Sequence, residues 1–160
     1  MRRRLVRAGG IEESEDGRVP QVLESHDIEI RVRYSEVDAM GYVHHSCYPV
    51  YFELGRTELL RQNGIRYRDL EARGLYYVVA RLECRFRAPA RYDDALKLTT
   101  ATERLTPVRV DHNYRLFRES QLLCDARTTL VLVGRDGRPT ELPDDLFEIL
   151  GGSARRPVVE

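Results

Sequence analysis

Lysine is almost missing from this chain: Lys97 is the only one, so nearly all of the 26 basic residues are arginine. Arginine suits bidentate phosphate contacts, but a codon bias of the source genome gives the same skew, so the arginines carry an argument only where they cluster. Net charge is missing too. The 26 basic residues balance 26 acidic ones, which removes the basic excess expected of a nucleic-acid binder or of a protein drawn to anionic membranes. Cysteine is scarce and odd in number, with Cys47, Cys84 and Cys124 far apart in sequence and no CxxC pair or metal-ligand spacing. That pattern fits a reducing, cytoplasmic setting. There is no run of about 18 apolar residues, and the basic start MRRRLVR never reaches an apolar core of signal-peptide length, so neither a membrane span nor export is expected. At 160 residues the chain suits one domain, large enough to bury a core without disulfide or metal staples.

What is present falls into three parts. Residues 1–25 lack periodicity, carry Gly9, Gly10, Gly17 and Pro20, and place a basic cluster before the acidic block EESED; they read as a mobile tail. A domain is expected over 26–150, with a C-terminal tail over 151–160. In the domain, DIEIRVRY alternates strictly from Asp27 to Tyr34, with Ile28, Ile30, Val32 and Tyr34 on one face, as in a half-buried strand. PVYFELGRTELLRQNG then predicts a helix of roughly 22 Å at about 1.5 Å per residue. Pro49 is tolerated in its first turn, Val50, Leu54 and Leu60 lie near one face with Phe52 and Leu59 flanking, and Gly64 stops it. YRDLEARG adds a short helical turn ending at Gly74.

Four long β-prone runs follow, LYYVVARLECRFR, ALKLTTATERL, VRVDHNYRLFRES and QLLCDARTTLVLVG, before Pro143 opens a short helix in PDDLFEIL. The expected architecture is α+β: a five- or six-stranded antiparallel sheet, its last four strands in a meander, wrapped around a long central helix, an arrangement called a hotdog. The uncovered sheet face and edge strands predict a homodimer or homotetramer.

The stretch YSEVDAMGYVHHSCYPVYFE, residues 34–53, gathers an aspartate, a glycine, two histidines and a cysteine at the mouth of the helix. Locally, DAMG is a good type I turn, with Asp first and Gly fourth. A carboxylate next to the orphan N–H groups of a helix start could also serve as general base or nucleophile beside an oxyanion site. Adjacent histidines are expected to point in different directions, and neither has an acidic partner at HExxH spacing, so no metal is expected. Cys47 lies two residues after His45, a spacing at which helical side chains do not face each other, and reads as core or pocket lining rather than as a thiolate nucleophile.

The run RVRYSEVDAMGYVHHSCYPVYFELGRTELLRQNG resembles the first strand, catalytic loop and central helix of the hotdog acyl-CoA thioesterases of the 4-hydroxybenzoyl-CoA thioesterase family, closest to the short-chain branch associated with the Tol-Pal system. The pattern rests on Tyr34, Asp38, Gly41, Val43, His45, Tyr48, Phe52, Glu53, Arg56 and Glu58, and RFRAPARYDD resembles the family's second β segment. Val37, where the family often has threonine, and His44, commonly tyrosine or asparagine, depart from it.

The resemblance implies hydrolysis of an acyl-CoA to free acid and coenzyme A, with no cofactor beyond the coenzyme A of the substrate and an active site at a dimer interface. It implies Asp38 as the catalytic carboxylate and the His45 N–H as the carbonyl-polarising donor. Gly41, Val43, His44, Tyr48 and Glu53 are expected to line the site, Glu53 also being an i,i+3 ion-pair candidate for Arg56. Arg81, Arg85 and Arg87 share a sheet face at period two with Arg91 in the turn after it, so Arg85, Arg87 and Arg91 are candidates for the coenzyme A phosphates. The alternatives are an acyl-carrier-protein thioesterase and a hotdog module that binds acyl-CoA or a protein without turnover.

Overall fold

A computed structural model describes residues 24–152. The expected tail over 1–25 thus lies mostly outside the described residues, as does 153–160, but Ser25 belongs to the sheet and Glu24 is bonded to it. The Thr102 N–H donates to the Glu24 carbonyl over 2.7 Å and Ser25 pairs with Ala101.

Strand β1 (Ser25–Arg31) turns Ile28 and Ile30 towards Leu98 and Leu96 of strand β3 (Ala95–Leu105). The alternation was expected to run on to Tyr34. It stops because Glu36 reaches back: its Oε2 accepts the Arg33 N–H at 2.8 Å and its Oε1 meets the Arg33 guanidinium, folding Tyr34–Glu36 into a 3-10 turn. Val32 remains buried while Tyr34 is turned out, 79 % exposed.

Helix α1 (Cys47–Gln62) forms where expected but presents a different face. Tyr48, Tyr51, Phe52, Gly55, Arg56 and Leu59 are inward, whereas Val50 and Leu54 are exposed. The inward residues recur at three and four, a proper helical stripe, but glycine and arginine disguise it. Gly55 is the point of closest approach to the sheet: a Cβ there would meet Thr100 Oγ1 inside contact distance and Leu98 Cδ2 at 2.8 Å. Helix α1 packs on β1 and β3, and Phe52 stacks on Tyr114 of strand β4 (Arg109–Arg118) with ring centroids 4.7 Å apart.

Helix α2 (Tyr67–Ala72) leads to β2 (Tyr76–Phe86), β3 (Ala95–Leu105), β4 (Arg109–Arg118) and β5 (Gln121–Val133), and α3 (Asp144–Ile149) follows. All pairings are antiparallel, in the order β1-β3-β4-β5-β2. Only β3, β4 and β5 form a meander. Strand β2, expected beside β3, crosses to the far edge and pairs with β5, leaving β1 to take the place against β3. The expected hotdog sheet is present with five strands. One core lies between the first half of α1 and the sheet; a second, around Leu70, Leu132, Leu146 and Phe147, lies under α2 and α3. The outer edge of β2 carries exposed Val78, Val79, Leu82 and Phe86. Among the described residues, no helix is long and apolar enough to cross a membrane.

Candidate active site

The loop before α1 is built by its own backbone. Val37 bridges Val43, the Asp38 N–H donates to the Tyr42 carbonyl over 2.8 Å, and the Gly41 N–H donates to the Asp38 carbonyl over 2.9 Å. Gly41 sits at φ +76°, a left-handed conformation that costs other residues roughly 1–2 kcal/mol. Asp38 closes the turn with its side chain: Oδ1 accepts the N–H of Met40 at 2.8 Å and of Tyr42 at 3.2 Å. One carboxylate oxygen is thereby fixed. The other, Oδ2, has no hydrogen-bond partner among the described residues.

At the helix entrance most N–H groups are used locally. That of His44 donates to the Glu36 carbonyl over 2.8 Å, that of Ser46 to His44 Nδ1 over 3.2 Å, that of Cys47 to the His44 carbonyl over 2.9 Å, and that of Tyr48 to the His45 carbonyl over 3.4 Å. The His45 N–H has no acceptor among the described residues. It is an orphan donor of the kind helix starts leave for a ligand. The histidine rings do not diverge as expected: in this turn, outside any strand or regular helix, they stack with centroids 4.1 Å apart, and His44 Nδ1 sits 2.8 Å from Ser46 Oγ.

Asp38 and His45 share a cleft of about 340 Å³ with Tyr42, Val43, Tyr48, Phe86, Arg87 and residues 88–89. The Tyr48 ring meets that of Phe86 edge-on at 4.8 Å, and burial pushes its phenol up. A somewhat larger cavity, about 380 Å³, lies at the other end of α1; it contains neither Asp38 nor His45, so the smaller cleft is the one that holds Asp38 and the orphan His45 N–H together.

The remaining candidates are dispersed. Gly41 shapes the turn, and Glu53 is exposed on α1, 3.5 Å from the Arg56 guanidinium. Arg85 is exposed opposite Asp125, Arg87 reaches the cleft but is ion-paired with Asp125, and the Arg91 guanidinium lies over the Tyr42 ring, 4.7 Å from its centroid. Arg81 is paired with Glu83, so the arginine stripe is partly neutralised.

Two features escaped the sequence. Phe86, Ala88 and Pro89, within RFRAPARYDD, line the cleft from a segment far along the chain, a role that no local pattern marked. Glu36 is a buried carboxylate that organises the loop; the one available sign was its i,i+3 spacing from Arg33. Burial alone would raise its carboxyl, but the Arg33 guanidinium and N–H and the Tyr51 hydroxyl outweigh that and hold it below the ordinary carboxylate range. Cys47 donates to the Glu36 carbonyl at 3.6 Å, and burial, with Glu36 nearby, pushes its thiol up, the opposite of what a thiolate nucleophile requires.

Residues 32–150 match the thioesterase-like superfamily. The chain belongs to that superfamily. This thioesterase-like chain is 32% identical over 105 residues to the acyl-CoA thioester hydrolase YbgC of Escherichia coli O6:H1, covering 65% of this chain and 78% of YbgC. A hypothetical protein of Thermus thermophilus superposes with a TM-score of 0.75 at 36% identity, covering 78% of this chain and 96% of that one. The DHNA-CoA thioesterase of Staphylococcus aureus superposes with a TM-score of 0.77 at 26% identity, covering 79% and 89%. The hotdog thioesterase fold and the placement of the chain among thioester hydrolases rest on these likenesses together.

Proposed function

We propose that this protein hydrolyses an acyl-CoA thioester to the free acid and coenzyme A. The observation that carries the reading is the meeting, at one cleft, of Asp38 with an unengaged Oδ2 and His45 with an unengaged backbone N–H. The thioester carbonyl oxygen points at the His45 N–H, which stabilises the charge that develops there. Asp38 Oδ2 accepts a proton from the water that adds to the carbonyl carbon, or attacks that carbon itself to give a mixed anhydride that water then opens. In either route the C–S bond breaks, the coenzyme A thiolate leaves and takes up a proton, and the acid remains. The two loop N–H groups on Oδ1 hold the carboxylate plane still.

The cleft is lined in part by Phe86, the last residue of β2. Val78, Val79, Leu82 and Phe86 along the β2 edge support a homodimer in which a second copy covers the acyl group. Arg87, which lines the cleft, and Arg91, whose guanidinium lies over Tyr42, are the phosphate contacts of this reading, with Arg85 in β2. The cytoplasm is the compartment it implies, and three free thiols agree with that.

The test is a panel of acyl-CoA and acyl-carrier-protein thioesters assayed with a thiol reagent on wild type and Asp38→Asn. An amide keeps an acceptor for the Met40 and Tyr42 N–H groups, so the loop persists while the carboxylate is lost. Loss of about 10²-fold or more in kcat is expected. Absence of turnover on every thioester would overturn the reading, and undiminished Asp38→Asn activity would overturn the role of Asp38.

A further inference from the structure

The cavity at the far end of α1 holds chemistry that the proposed hydrolysis does not use. Its volume, about 380 Å³, is within the range of small-molecule sites, and Leu59, Leu60, Leu105 and Val110 give it apolar walls. Two polar residues in that wall are more than nine-tenths buried: Arg56, 8 % exposed, and His112, 7 % exposed.

Neither is fully satisfied by the protein, although Arg56 Nη2 reaches Glu53. Arg56 Nε and His112 Nδ1 are buried without a hydrogen-bond partner, and no hydrogen bond engages the His112 side chain among the described residues. Among the described residues the one carboxylate paired with Arg56 is Glu53, at 3.5 Å, and the Glu53 side chain is 68% exposed. Tyr67 and Tyr114 lie beside the guanidinium and bring hydroxyls but no charge. A buried guanidinium without a buried counter-ion is costly, and the cost is removed by an anion that enters the same enclosure. Burial, reinforced by Arg56, keeps His112 neutral, so the imidazole can donate to such an anion without adding charge.

We propose that this cavity is a second ligand site that takes a small monocarboxylic acid, its carboxylate against Arg56 and His112 and its short apolar chain against Leu59, Leu105 and Val110. The site is separate from the Asp38 cleft and does not depend on the hydrolysis reading.

Hexanoate titrated into the full chain, followed by calorimetry and by the ring signals of His112, tests this. Saturable binding that shifts His112 is expected, weakened about tenfold or more in Arg56→Gln by loss of the charge-assisted contact and similarly in Leu105→Trp, which fills the apolar wall while leaving Arg56 in place. Asp38→Asn should bind hexanoate as wild type does. The proposal is overturned if hexanoate does not saturate, if Leu105→Trp and Arg56→Gln bind it unchanged, or if Asp38→Asn abolishes binding, which would locate hexanoate in the cleft. Inorganic phosphate binding as tightly as hexanoate would overturn the assignment of an apolar tail.

Discussion

The hydroxyl of Tyr51, in the second turn of α1, donates to Glu36 Oε2 over 2.8 Å. That bond joins the helix to the loop that carries Asp38, because Glu36 also holds Arg33 and, through its carbonyl, the His44 N–H. Tyr51→Phe should leave a buried carboxylate short of a donor and cost about 1–3 kcal/mol of stability, read as a lower urea midpoint. Since the same bond positions the loop, kcat should fall while the variant is still folded.

Acid should destabilise the protein earlier than carboxylates alone would cause. Burial, with Arg56 beside it, depresses His112 from 6.5 to about 4, against a smaller opposing pull from Asp111. The unfolded chain therefore binds the extra proton first: the stability contribution is complete above pH 6.5 and is lost as pH falls towards 4, reaching ~3 kcal/mol by linkage. Glu36, whose folded carboxyl is also depressed, adds a further loss below its unfolded value. Urea midpoints measured from pH 7.5 to 4 should fall across that window, and His112→Phe should flatten the upper part of the curve.

Gly55→Ala should be far more damaging than an alanine in a helix normally is. The added Cβ collides with Thr100 Oγ1 and Leu98 Cδ2, and overpacking of this kind costs typically 1–3 kcal/mol. Thr100 Oγ1 is itself buried without a partner, so Thr100→Val should be neutral or stabilising by about 1 kcal/mol. Thermal melts of the two single variants and of the double variant separate collision from desolvation.

Cys47→Ser should keep its activity within about twofold, because a thiol raised by burial holds little thiolate at neutral pH. Assay after treatment with an alkylating reagent checks the same point: wild type and Cys47→Ser should respond alike.

Arg87→Ala should raise KM for acyl-CoA about two- to fivefold, the effect of an exposed ionic contact of ~0.5–1 kcal/mol, with kcat little changed. A truncated pantetheine thioester, lacking the distal phosphates, should show no such difference.

Much of this molecule is settled by local rules. Strand β3 falls on ALKLTTATERL, and the turn at residues 38–41 is closed by the Asp38 carbonyl and Gly41 as DAMG predicts. Periodicity and turn chemistry act within a few residues, so these elements, the helix start and Asp38 beside it are written in the chain itself. Which face of α1 is buried is not: Val50 and Leu54 are as apolar as anything on the inward side, and the choice falls to Gly55, the residue small enough to let the helix meet β3. Nor does the sequence order the strands. Pairing of β2 with β5 and of β1 with β3 depends on contacts between segments tens of residues apart, which no local pattern encodes. The same long-range packing brings Phe86 and Arg87 opposite Asp38, and seals Arg56 and His112 into one cavity.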